Sequence, residues 1–223
     1  MKAQHLRRYG PHLGLIGLMW IVVLAALPWA PERAALHWGL NGEPDRFGTP
    51  VQALVPLPVL GMLLLVLLVI LPRFDPRRAN YAAFAGAYRT IQITVLAALL
   101  AVELVIIAAM FNLPINISRV IGVLVAVLFV VLGNVLGKLR PNWFTGICTP
   151  WTLQSPDVWT RTHHVAGRTL VLVGVLLLVA ALVRPPPAVV AVLLGGVLAW
   201  VVSMAVYSYL LWRRLGPEQK EGA

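Results

Sequence analysis

Residues 133–168 read GNVLGKLRPNWFTGICTPWTLQSPDVWTRTHHVAGR, and they separate two long apolar runs. The stretch is too polar to cross a bilayer and too long for an ordinary connection. It gathers three Trp, two His, the only Cys of the chain and four basic residues. Within it, Ser155-Pro156-Asp157 predicts a helix start: a hydroxyl cap, Pro at the first helical position and a carboxylate in the first turn. That helix is expected to lie at the membrane interface before joining the next span. Trp143, Trp151 and Trp159 would then sit at headgroup depth, where indole rings partition well. An aromatic anchor belt and a specific binding surface both account for such a cluster.

Apolar residues make up 60% of the 223 and charged residues 12%, against about 25% charged in soluble domains. Six apolar runs reach or approach the roughly 20 residues a helix needs to cross a bilayer. They cover about 13–29, 53–71, 90–111, 120–136, 165–183 and 188–212. No alternating pattern favours a β-barrel. The expected fold is therefore an all-α polytopic membrane protein, a six-transmembrane-helix bundle. The basic start and apolar run at 1–29 imitate a signal peptide, but the run lacks a small-x-small exit and is read as a retained anchor.

The net charge of +10 would suggest nucleic acid in a soluble chain. Here its distribution over the loops is what matters, because short Lys- and Arg-rich loops stay cytoplasmic, and no direct nucleic-acid partner is expected. One set of ends holds Lys2, Arg7, Arg8, Arg73, Arg77, Arg78, Arg89, Lys138, Arg140, Arg161, Arg168, Arg213, Arg214 and Lys220; the opposite set holds only Arg33, Arg46, Arg119 and Arg184. Fourteen against four predicts cytoplasmic N- and C-termini, a cytoplasmic Trp-rich segment at 137–168 and an extracytoplasmic loop at 31–50.

That outer loop, PERAALHWGLNGEPDRFGTP, is rich in turn formers: Asn41-Gly42 and Phe47-Gly48 favour tight geometry, and Glu43-Pro44 cannot continue a helix. His37, Glu43 and Asp45 are of a type to bind a divalent metal, but their spacing is unconstrained. A folded turn in which Asn41 and Asp45 hold backbone amides and Arg46 pairs locally is the simpler expectation, and no metal or cofactor is assigned. The two long loops, at 31–50 and 137–168, follow the first and fourth spans. Each carries an aromatic residue, then Gly, then Thr-Pro (Phe47 to Pro50, Phe144 to Pro150). One membrane domain of two three-span halves, 1–111 and 112–223, related as an inverted repeat would give that pattern.

Glu103 is the only acid inside a span, where an ionised carboxylate costs roughly 2.5–3.5 kcal/mol. It shares a helical stripe with Gln92, Leu96 and Leu99, so both polar groups should face the bundle interior. A proton or ligand site and a protonated Glu bonded to a neighbouring helix are the two readings. Cys148 has no nearby His or acid to make it a nucleophile, although Lys138 and Arg140 are placed to lower its pKa. It is read as structural. Gly133-x-x-x-Gly137 suits close helix packing. Adjacent His163 and His164 point about 100° apart on a helix and make a poor metal pair. No catalytic constellation is visible, and an enzyme is not expected.

Gly133-Asn134, then Arg140-Pro141-Asn142-Trp143-Phe144, Gly146-Ile147, Thr149-Pro150-Trp151-Thr152-Leu153 and Trp159-x-x-Thr162-His163, resemble the signature of SdpI-type bacterial immunity proteins. Cys148 stands where that family usually carries Arg. The outer loop, with Leu27-Pro28, His37-Trp38-Gly39 and the run from Asn41 to Gly48, is similar to the uncharacterised N-terminal module of the same proteins. The resemblance implies a bacterial inner-membrane protein that gives immunity to a secreted, membrane-active peptide toxin. In some members it also implies capture of a transcriptional repressor at the cytoplasmic face. Membrane lipid, the toxin and the repressor are the implied partners. His37, Trp38, Asn41, Glu43, Asp45, Arg46 and Glu103 become candidates for ligand contact. Asn134, Arg140, Asn142, Trp143, Gly146, Thr149, Pro150, Trp151, Trp159, Thr162 and His163 would form a cytoplasmic platform. A small proton-coupled transporter or lipid-handling protein working through Glu103 is the alternative.

Overall fold

The computed structural model describes residues 2–215. Lys220, and the side chains of Lys2, Arg7 and Arg8, which count towards the predicted orientation, lie outside the description. Six helices long and apolar enough to span a membrane account for the bundle. They are α1 (Lys2–Ala26), α3 (Pro56–Phe74), α4 (Ala85–Met110), α5 (Ile117–Leu136), α7 (Pro156–Val183) and α8 (Pro186–Leu215), with two five-residue helices, α2 (Pro50–Leu54) and α6 (Pro150–Gln154), leading into α3 and α7. In lipid the backbone must satisfy itself, so each apolar run becomes a helix from end to end.

One expectation needs correcting. The outer loop is not only a turn-rich connection: Ala34–Trp38 (β1) and Pro44–Gly48 (β2) form an antiparallel hairpin with register irregularities on either side of His37. Phe47-Gly48 therefore lies in a strand, not a turn. The turn is closed by Gly39 N–H to Glu43 O at 2.8 Å and Gly42 N–H to Gly39 O at 2.9 Å. Gly42 has φ +83°, and a Cβ there would meet the Ser118 hydroxyl at 2.7 Å, so the hairpin tip rests against the start of α5. Ala34 is buried with Val23, Ala26, Ala53, Leu54 and Met110, which fixes the hairpin onto the end of the bundle.

Thr49 and Thr149 open α2 and α6 with the same reciprocal capping box, closed by Gln52 in one and by Thr152 in the other. Pro56 and Pro156, each seven residues after its Thr, then start the spans α3 and α7. The shared turn chemistry noted in the sequence thus builds the same local structure at opposite ends of the bundle.

Pro72 inside α3 removes the donor that the Leu68 carbonyl would have received. The Tyr88 hydroxyl at 2.6 Å and the Gln92 amide at 3.4 Å donate to that oxygen instead. Gln92 is buried for this reason. Between α5 and α7 the backbones come close: a Cβ on Gly133 would stand 2.7 Å from the Gly167 carbonyl. The Gly133-x-x-x-Gly137 motif therefore serves packing within the bundle.

Candidate functional sites

The two ends of the bundle carry different sites. At the hairpin end a pocket of about 500 Å³ opens between the hairpin and the α4–α5 connection, lined by Arg33, Trp38, Asn41 and Phe47 on one side and by Met110, Asn112, Leu113 and Ile115 on the other. Strand period two puts His37 on the face opposite Leu36 and Trp38. Accordingly Trp38 is half-buried while His37 is exposed. His37 Nδ1 meets the Asp45 carboxylate at 2.6 Å, with both side chains more than half exposed. The Asn41 amide donates to Glu43 at 2.9 Å, and its oxygen accepts the Glu43 backbone N–H at 3.2 Å. Asn41 does hold a backbone amide, as expected. Asp45 instead engages His37, and Arg46 forms no ion pair among the described residues. Glu43 engages Asn41 rather than the His37–Asp45 pair, and no group of three metal-ligating side chains gathers among the described residues. Of the loop candidates, Trp38 and Asn41 line the pocket and His37, Glu43, Asp45 and Arg46 do not.

Glu103 lies seven residues, about 10 Å along the helix, deeper than Met110 on the same face of α4. It is fully buried, and neither carboxyl oxygen has a hydrogen-bond partner. The expected bond to a neighbouring helix is absent among the described residues. Leu96 and Leu100 of the same helix are buried as well.

At the opposite end, the segment between α5 and α7 folds back as a cap, and here the sequence reading changes most. Trp159 is completely buried rather than anchored at headgroup depth. Its indole N–H donates to Leu139 O at 3.1 Å, and its ring stacks on His163 at 4.0 Å. His163 is buried too: Nδ1 donates to Trp159 O at 2.8 Å and Nε2 accepts the Ile147 N–H at 3.0 Å. These two partners fix the neutral tautomer and leave no nitrogen for a ligand. The helix carrying both is continuous with the fifth span instead of lying along the interface. Thr162 is buried, and its hydroxyl has no hydrogen-bond partner among the described residues.

Asn142 is buried at the centre of the loop. Its oxygen accepts from the Phe144 and Thr145 N–H groups at 3.0 and 2.7 Å, and its amide donates to Arg140 O and Thr145 O. Gly146 has φ +108° and lies directly over the His163 ring, where no Cβ fits. Thr149 caps α6 behind Pro150 and bonds Ser208 of α8 at 3.1 Å, while Trp151 packs on Tyr209 at 5.0 Å. Arg140, Trp143 and Asn134 remain exposed. Gly146 and Pro150 are exposed as well, so the platform residues divide between those buried within the cap, such as Asn142, Trp159 and His163, and those that face outward.

Asp75, in the α3–α4 turn, was not singled out by the sequence. Its buried carboxylate accepts from Arg77 N–H at 2.7 Å, Trp143 N–H at 2.9 Å and the Tyr81 hydroxyl at 3.0 Å. Arg77 reaches Leu153 O at 2.6 Å and Asn80 reaches Pro141 O at 2.7 Å. The first half of the chain is thereby tied to the cap of the second. The available signal was a lone acid among Arg73, Arg77 and Arg78. Cys148 lies within this network. Burial, and secondarily the Asp75 charge, push its thiol up to about 11, the opposite of the lowering expected from Lys138 and Arg140.

A hairpin-capped bundle of six membrane-spanning helices with a self-bonded cap at the other end defines a multi-pass α-helical membrane protein. Two family models match it: residues 138–208, from the cap through most of α8, match the SdpI/YfhL protein family. Residues 14–62, from α1 through the hairpin into α3, match a domain of unknown function (DUF1648). The chain is thus an SdpI-like membrane protein, similar to that family over residues 138–208 and to DUF1648 over 14–62. Neither curated proteins nor solved structures gave a match.

Proposed function

We propose that this chain protects a bacterial inner membrane against a secreted, membrane-active peptide, which it captures in the pocket beneath the hairpin. The observation that carries this reading is the pocket itself. It offers an indole, a phenyl ring and aliphatic side chains beside Arg33 and Asn41, a mixture suited to an amphipathic segment. The excess of basic residues at the cap end favours a cytoplasmic cap and an outward-facing pocket, the side from which a secreted peptide would arrive. At the cap, exposed Phe74, Trp143 and Phe144 stand beside exposed Arg73, Arg78 and Arg140. This surface would receive a transcriptional repressor once the pocket is filled. The test is survival, with membrane potential followed by dye, of a sensitive bacterium expressing the chain and challenged with secreted peptides. Protection that disappears in Trp38→Ala at unchanged protein level supports the pocket.

One observation favours a second reading. A buried carboxyl with both oxygens unpaired suits a proton site in a small transporter or lipid-handling protein. Proton flux into proteoliposomes that Glu103→Gln abolishes would move this reading ahead. Full protection by Glu103→Gln, with no flux in the native protein, would remove it.

A further inference from the structure

The close approach of α5 and α7 has a consequence at the cap end. Gly133 on α5, Gly137 at its C-cap and Gly167 on α7 present no side chains, so a groove of about 450 Å³ opens along their contact. Its floor is glycine backbone and Val171. Asn134, in the last turn of α5, and Lys138, in the turn that follows it, form one wall, and His164 and Arg168, one turn apart on α7, form the other. All four are exposed. Among the described residues, the one ion pair is His37–Asp45 at the far end, so Lys138 and Arg168 face each other across the groove with no carboxylate to neutralise them. Asn134, a polar side chain on a spanning helix, uses its amide on the Val130 carbonyl at 2.8 Å and lines the groove.

Position completes the argument. The groove lies where the apolar run of α5 ends, and towards the bundle's middle the same two helices expose Val127, Leu172, Val175 and Leu176. A cationic notch above an apolar track has the two-part chemistry of an acidic phospholipid, phosphate above and acyl chain below. We infer that the α5–α7 groove binds the phosphate of an anionic phospholipid, held by Lys138 and Arg168 over the glycine floor. The glycines matter because a side chain at Gly137 would run into His164, at 2.7 Å from its ring, and fill the notch.

Native mass spectrometry of the full chain, released from detergent after incubation with phosphatidylglycerol or phosphatidylcholine of matched chains, tests this. Thermal unfolding in the same lipids and in sodium phosphate runs alongside. The expected result is a preference for phosphatidylglycerol of about tenfold. It should fall to none in Lys138→Gln/Arg168→Gln and persist in Arg213→Gln/Arg214→Gln, which removes the same charge from the same end. Gly137→Val, which keeps every charge but fills the notch, should also lose the preference. Stabilisation by free phosphate equal to that by phosphatidylglycerol would reassign the groove to a soluble anion. Equal loss in both arginine-containing double variants, or no preference in the native chain, would overturn the site.

Discussion

Asp75 shows how much one buried side chain can settle. Three donors converge on it, from residues two, six and sixty-eight positions away; its loss would strand the Arg77 and Trp143 N–H groups and leave the Tyr81 hydroxyl only the longer bond to Asn142 at 3.4 Å. Unpaired buried donors cost about 1–3 kcal/mol each. Asp75→Ala should therefore lower stability by on the order of 3 kcal/mol, read as a fall in the unfolding temperature in detergent, with Asp75→Asn milder and Tyr81→Phe milder still. No change in Asp75→Ala would mean the cap is not tied to the first half in this way. Cys148 offers a pH test with a definite sign. With its thiol pushed up to about 11 from a reference of 9.0, the thiolate fraction at neutral pH is about a hundredfold below that of a free thiol. Labelling by a soluble maleimide should be slow at pH 7 and keep accelerating with pH past 9. Removing the Asp75 charge should speed it. Fast labelling at pH 7 would contradict the burial. Cys148 was read from the sequence as structural, but neither the direction of its shift nor the role of Asp75 was legible there, because what fixes them is a loop folded back from far along the chain.

Legibility at the scale of elements followed the strength of the physical constraint. The six spans could be read because apolar runs in lipid have few alternatives to a helix, and the observed helices begin up to eleven residues before the expected runs, as at Lys2 and, by nine, at Pro156. The hairpin could not, because its strands are short, β2 is exposed almost throughout, and irregular register around His37 blurs the alternation. Trp159 and His163 were misplaced for a related reason: composition alone cannot separate a Trp at a headgroup from one stacked in a cap. The α5–α7 contact carries this scale's prediction. Gly133→Val would push side-chain carbon into the Gly167 backbone and should lower the folded yield sharply. Gly14→Val, at a position with nothing within 4 Å, should be tolerated. Equal tolerance of both would show that the two helices are not so closely apposed.

For the whole molecule, the arrangement of charge and the two capped ends make one statement: a basic, tightly bonded end and an opposite end carrying an open pocket. The orientation this implies can be read with reporters. A fluorescent protein fused after the last residue should fold and glow, and alkaline phosphatase joined at the hairpin tip should be active; the reverse pattern would put the pocket on the wrong side for a secreted ligand. The repeat of capping boxes at Thr49 and Thr149 was visible in the sequence as turn chemistry, whereas the pocket was not. It forms only where the hairpin meets the α4–α5 connection, two segments some seventy residues apart along the chain.

The most direct test of the central claim is membrane potential in peptide-challenged cells that express the native chain, Trp38→Ala or His37→Ala at matched levels. The pocket account predicts that the native chain and His37→Ala hold the potential, because His37 points away from the pocket, and that Trp38→Ala loses it. Loss in His37→Ala with protection kept in Trp38→Ala, or equal protection by all three, would contradict it.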